Sequence, residues 1–143
     1  MKKPEFYWNE EERVAKCWLT DGENKFLGIA ACHPDDIDMM SEKVGCELAY
    51  RRAIIEALKH ERDTSIKPSL KALKQLYYSM NKSKKFNKKS YETKMLWRQI
   101  QNWEADLDTA NYMIAMEKEL VKDYIQKKEE FYQLLRTKRT GQN

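Results

Sequence analysis

Glycine and proline all but vanish from the second half of this chain. No proline follows Pro68 and no glycine lies between Gly45 and Gly141, so Ser69–Thr140 holds neither helix breaker. That stretch also lacks strand-like alternation, which excludes sheet from most of it and predicts long helix. Cysteine is scarce: three, none in a Cys-x-x-Cys pair. An odd set of this kind excludes a disulfide framework and points to a reducing cytoplasm. Any apolar run of about 18 residues is missing too, which excludes a membrane-spanning helix. The opening MKKPEFYWNEEE has two lysines but no apolar stretch behind them, so no secretory signal is expected. The four glycines are scattered, leaving no loop to cradle a phosphate.

What is present is charge and helix-forming sequence. The 143 residues are 35% charged, 41% hydrophobic and 11% aromatic, with a mean hydropathy of -0.89. This is polar for a thick globule and too aromatic for disorder, a balance that suits elongated helices. The net charge of +4 hides an asymmetry: residues 1–63 carry ten Lys/Arg against fourteen Asp/Glu, and residues 64–98 carry ten against Glu92 alone. Separation on this scale concerns partners more than fold.

Residues 12–32 predict a β-hairpin. RVAKCWL and KFLGIAAC flank Asp21-Gly22, a strong turn dipeptide. Gly28 inside the second strand marks a bulge or a close packing contact. Phe6, Tyr7 and Trp8 add a third strand or cap the hairpin. Pro34 ends the sheet, and Asp36 or Asp38 is expected to cap a helix reaching about His60, with Ser41 and Glu42 in its first turns. Val44, Leu48, Ile55 and Leu58 form its apolar stripe, while Cys46, Ala49, Ala53 and Ala57 permit close approach. A second helix begins near Pro68, a residue favoured in a first helical turn, with Leu70, Leu73, Tyr77 and Met80 on one face. NKSKKFNKKS reads as a junction, and a last helix starts near Ser90.

The expected fold is therefore α+β and mostly α: a short N-terminal β-hairpin packed on a helix, followed by long coiled-coil-like helices. Three segments are expected, an acidic unit over 1–63, a basic helix and junction over 64–89, and a coiled-coil-type helix over 90–140. Along that helix Leu96, Ile100, Trp103, Leu107, Ala110, Ile114, Val121, Tyr124, Phe131 and Leu135 follow heptad spacing. Glu117 and Lys128 interrupt the seam, and either set register or are paired. Unbroken, such a helix is roughly 75 Å long, whereas a compact chain of this size has a radius of gyration of only about 14–15 Å. It folds back near Asn102, Asp108 or Asn111, bundles with the chain's second helix, or pairs with a second copy. The 3.5-residue spacing favours a homodimer through the seam residues Leu96 to Leu135.

No catalytic, cofactor or metal motif is found. Cys32, His33, Asp35 and Asp36, with Cys17 and Cys46 nearby, match no zinc spacing, and adjacent residues of an extended segment point to opposite faces. Acids before a helix ordinarily serve as caps. A thiol nucleophile would need His33 or His60 as its base, and neither has that context. The basic run says more. Lys82, Lys84, Lys85, Lys88 and Lys89 surround Phe86, with Tyr77, Tyr78, Tyr91 and Trp97 on either side. Lysines neutralise phosphates and aromatics stack on bases, so this run is the candidate nucleic-acid contact, for DNA or RNA. Five phosphate contacts would give a salt slope on the order of −4 to −5. The plainer reading is a solvated loop. RTKR at 136–139 forms a weaker patch on a frayed tail.

Gly28, Ala30, Cys32, Pro34 and Asp35, followed by Gly45, Leu48, Ala49, Arg52 and Ala53, make a strand, a Pro-Asp turn and a helix. This pattern resembles small accessory proteins of phages and prophages of Gram-positive bacteria over about 30 residues. Where that pattern often carries an aromatic after the acidic turn, Ile37-Asp38-Met39 stands here. The resemblance implies a phage origin and no catalytic residues. Small phage proteins of this sort commonly bind host machinery. The expected function is a non-enzymatic inhibitor of a host defence complex, for example an anti-CRISPR acting on an RNA-guided nuclease in the bacterial cytoplasm. Its partner is then a host protein or ribonucleoprotein. The alternatives are a stand-alone dimeric nucleic-acid-binding protein and a structural coiled-coil protein.

Overall fold

The computed structural model describes residues 3–31, 41–83 and 90–139, with backbone alone at 131, 132, 135, 136, 138 and 139. Three strands come first: β1 (Pro4–Asn9), β2 (Val14–Asp21) and β3 (Asn24–Ala31). They form one antiparallel sheet in the order β1-β2-β3, so the Phe6-Tyr7-Trp8 cluster is a strand. Asp21 pairs with Asn24 across a two-residue turn, and Gly22, at φ 62°, holds its first central position. That is the place where a two-residue hairpin turn takes glycine. The longer β1–β2 turn is tied by the Asn9 side chain, whose Oδ1 accepts from the amides of Glu11 and Glu12 at 3.0 Å each. It closes through Arg13 in the left-handed region at φ 54°.

Strand alternation decides which face is covered. Ala15, Cys17 and Leu19 of β2 and Phe26, Gly28 and Ala30 of β3 all turn inward and are buried. The register sets Cys17 opposite Gly28 and Leu19 opposite Phe26. Against this face lies α1 (Glu42–Glu61), contributing Leu48, Ala49, Ala53 and Ala57. The contact is close because small residues meet. A Cβ at Gly28 would collide with the Ala49 carbonyl and lie 2.5 Å from the Ala53 nitrogen. Of the two sequence readings of Gly28, the close contact is the one realised. The Arg52 guanidinium adds a 2.7 Å hydrogen bond to the Ile29 carbonyl. Thus Gly28, Ala30, Leu48, Ala49, Arg52 and Ala53, which carry the phage-protein pattern, all build the sheet–helix contact. Cys32, Pro34 and Asp35 of that pattern lie outside the described residues.

Ser41 caps α1, accepting from the Val44 amide at 3.2 Å, while Gly45 donates to the Ser41 carbonyl at 2.9 Å. The cap is therefore Ser41, one of the residues expected inside the first turns; Asp36 and Asp38 lie outside the described residues. The chain then stays helical through a π segment, Arg62–Ile66, into α2 (Lys67–Asn81). Pro68 accounts for the widened turn. A proline ring clashes with the carbonyl four residues back, and the extra residue per turn moves that carbonyl away.

The last helix, α3, runs Tyr91–Arg139 without interruption. It does not fold back at Asn102, Asp108 or Asn111, and its backbone stays helical through RTKR. Ser90 caps it, accepting from the Thr93 amide at 3.2 Å. Asn111 meets the Arg62 guanidinium at 3.1 Å. Contacts divide the chain into Met1–Ala57 with Ala115–Asn143, and Leu58–Ile114. This partition differs from the three sequence segments because Val121, Tyr124 and Ile125 pack against the sheet–α1 core. In the same unit Glu117 pairs with Arg51 at 3.3 Å, and Lys128 lies 5.5 Å from the Tyr124 ring centroid. Both polar interruptions of the heptads are thus partnered within the chain.

Candidate nucleic-acid interface

The Leu58–Ile114 unit has its own core, in which Leu70 of α2 meets Leu96 and Ile100 of α3, with Leu73, Tyr77, Met80, Trp103 and Leu107 around them. The apolar positions of α2 fall on the face predicted from their spacing. Tyr77 meets Trp97 and Lys74 meets Glu104, so the two helices run antiparallel. The expected oligomerisation seam is largely spent here. Leu96, Ile100, Trp103 and Leu107 cover α2, and Ile114 is buried. Val121 and Tyr124 cover the sheet unit, and the side chains of Phe131 and Leu135 lie outside the description.

With the apolar residues turned inward, the outer side of this hairpin is left to cations and rings. Lys94, Trp97, Arg98 and Gln101 fall at i, i+3, i+4 and i+7 and therefore share one strip of α3. They line an open hollow of about 300 Å³ with Tyr77 and Thr93. Tyr77 packs on Trp97 at 5.2 Å between centroids, tilted 43°. Tyr77 also meets Tyr78 edge-on at 6.2 Å and 74°. Trp97 remains 46% exposed and Tyr78 60%. A second hollow, along α2, collects Lys67, Lys71, Lys74, Gln75 and Tyr78 over Leu70.

Among the described residues much of this positive charge has no acidic partner. Lys74 is held by Glu104 at 3.0 Å and Lys67 by Asp63 at 3.3 Å. Lys71, Lys82, Lys94 and Arg98 form no ion pair with a described residue. Of the five sequence-predicted lysines, Lys82 is described: it is exposed at the end of α2, where its amide bonds the Met80 carbonyl. Lys84, Lys85, Lys88 and Lys89 lie outside the described residues. Sequence reasoning picked the flanking Tyr77, Tyr78 and Trp97 but missed Lys94, Arg98 and Gln101. Their i, i+3, i+4, i+7 spacing was the signal, masked by the denser lysine run beside it.

No thiol chemistry is assembled in what is described. Cys17 is fully buried, and burial, then the Cys46 thiol, pushes its pKa up to about 11. A thiol held protonated is a poor nucleophile and a poor metal ligand. Among the described residues no group of three or more His, Cys, Asp or Glu could hold a metal ion; Cys32, His33, Asp35 and Asp36 fall outside them. No helix there is long and apolar enough to cross a membrane. Set beside known proteins, the chain matches no family model, no curated protein and no solved structure.

Proposed function

We propose that this chain is a non-enzymatic binding protein that contacts nucleic acid through the basic, aromatic side of the α2–α3 hairpin. The observation that carries the reading is the strip Lys94-Trp97-Arg98, two cations with no ion pair to a described residue beside an exposed ring braced by Tyr77. Cations release the counterions of a phosphate backbone, while a braced ring offers a flat apolar surface. In the phage setting implied by the Gly28-to-Ala53 pattern, the nucleic acid belongs to a host nucleoprotein, and the protein inhibits a defence complex by occupying it.

Salt-dependent binding tests the contact. Fluorescence anisotropy with labelled oligonucleotides, single-stranded and duplex, is read across a salt series. The Lys82→Glu/Lys94→Glu/Arg98→Glu variant should bind at least about tenfold more weakly, with a log–log salt slope shallower by roughly 2–3. Wild-type protein that binds neither form at low salt ends the proposal. Affinity capture from a bacterial host lysate, with and without nuclease, separates the inhibitor from a stand-alone nucleic-acid binder. One host protein retained after nuclease supports the inhibitor, and capture that collapses with nuclease supports the stand-alone binder.

A further inference from the structure

Resting on that reading, we infer that the α2–α3 site takes unpaired bases, with Trp97 as a stacking platform between Lys94 and Arg98: its ligand class is single-stranded nucleic acid.

The geometry separates the two forms of nucleic acid. In a duplex the base faces are stacked on one another and only edges and phosphates reach a protein surface. An exposed indole gains nothing from such a surface, and cations alone would serve it. On an unpaired strand each base has a free face, and stacking on an aromatic side chain is tolerant of sequence. Trp97 is 46% exposed, and Tyr77 packs against it at 5.2 Å and itself meets Tyr78 at 6.2 Å. The ring is therefore held before any ligand arrives, which removes most of the ordering cost of stacking. Lys94 and Arg98 stand on the same strip as Trp97. They are four residues apart, about 6 Å along the helix axis, so both can meet the phosphates of one strand. Gln101, also on the rim of the hollow, supplies an amide that both donates and accepts toward a base edge.

Anisotropy with labelled oligo-dT and oligo-rU of about 12 nucleotides, against a mixed-sequence duplex of equal length, tests this across one shared salt series. Wild-type protein should prefer a single strand by about tenfold or more. Trp97→Ala should lose roughly tenfold on the single strand, with the salt slope unchanged, and little on the duplex. Trp97→Leu keeps an apolar side chain against Tyr77 but no flat ring, and should lose as much as the alanine variant. Trp97→Phe should recover most of the loss. Comparing the dT and rU arms tells DNA from RNA. Equal or tighter duplex binding overturns the inference. So does a Trp97→Leu variant that binds like wild type. In both cases the nucleic-acid reading itself stands if Lys94→Glu/Arg98→Glu weakens binding. Absence of binding to every probe removes that reading and this inference together.

Discussion

Cys17 sits in the middle strand with no exposed surface, and its thiol is pushed from 9.0 up to about 11. Burial is the main cause, and the neighbouring Cys46 thiol adds to it. In the unfolded chain the thiol ionises near pH 9, while the folded chain keeps its proton to about pH 11. The unfolded state therefore sheds its proton first, so stability present below pH 9 is lost as pH rises toward 11. The loss is on the order of 2–3 kcal/mol across that window. Urea unfolding at about pH 8 and about pH 10.5 should show wild type losing about 2 kcal/mol more than Cys17→Ala. Equal losses would mean the thiol is less buried than the fold requires. Nothing in the local sequence RVAKCWL announces this. Alternation puts Cys17 on one face of β2, but only α1 makes that face the inside.

Between elements, the decisive contact is β3 on α1. Both sides were partly legible: Gly28 interrupts a strand, and Ala49, Ala53 and Ala57 recur at helical spacing. Sequence alone also offered a larger stripe, Val44, Leu48, Ile55 and Leu58, as the packing face. The structure puts Ala49 and Ala53, both fully buried, closest to the sheet, because a glycine opposite them lets backbone meet backbone, and Leu48 and Val44 of the stripe join the same core. Gly28→Ala would force α1 away from the Ala49 carbonyl and Ala53 nitrogen, breaking packing along the whole sheet. The expected cost is about 3 kcal/mol, a fall of roughly 10 °C in Tm by circular dichroism. A drop of only a degree or two would show that the two elements are free to separate. The same logic explains α3. Its heptads predict an apolar stripe correctly, yet spacing cannot say whether the stripe meets a second copy or the chain's own α2 and sheet.

At the scale of the whole molecule, the heptads of α3 are satisfied inside one chain as far as Tyr124, with Glu117 and Lys128 partnered there too. Light scattering at micromolar concentration should therefore return the 17.2 kDa of a single chain. Twice that mass would move self-association to exposed apolar side chains such as Met116 and Leu120. Charge is likewise a property of the whole. Fourteen of the 23 acidic residues lie in 1–63, and seventeen of the 27 basic ones lie from Thr64 onward. Long-range attraction to a polyanion is thus carried by the α2–α3 hairpin, and it is screened beyond about 8–10 Å at ordinary salt.

The amino-acid sequence by itself determined element identity. Period-2 alternation around Asp21-Gly22 makes the hairpin, and the stretch without glycine or proline after Pro68 makes the helices. Serines at 41 and 90 begin α1 and α3, because each satisfies an amide that a helix start leaves bare. These are short-range effects of backbone sterics and local hydrogen bonding, so neighbouring residues suffice to specify them. Only the tertiary structure decided which apolar stripe faces which, and therefore what is left outside. Burial depends on surfaces brought together from distant positions, as Leu70 with Ile100 or Cys17 with Ala53. The Lys94-Trp97-Arg98 strip became visible once the other faces of α3 had been covered.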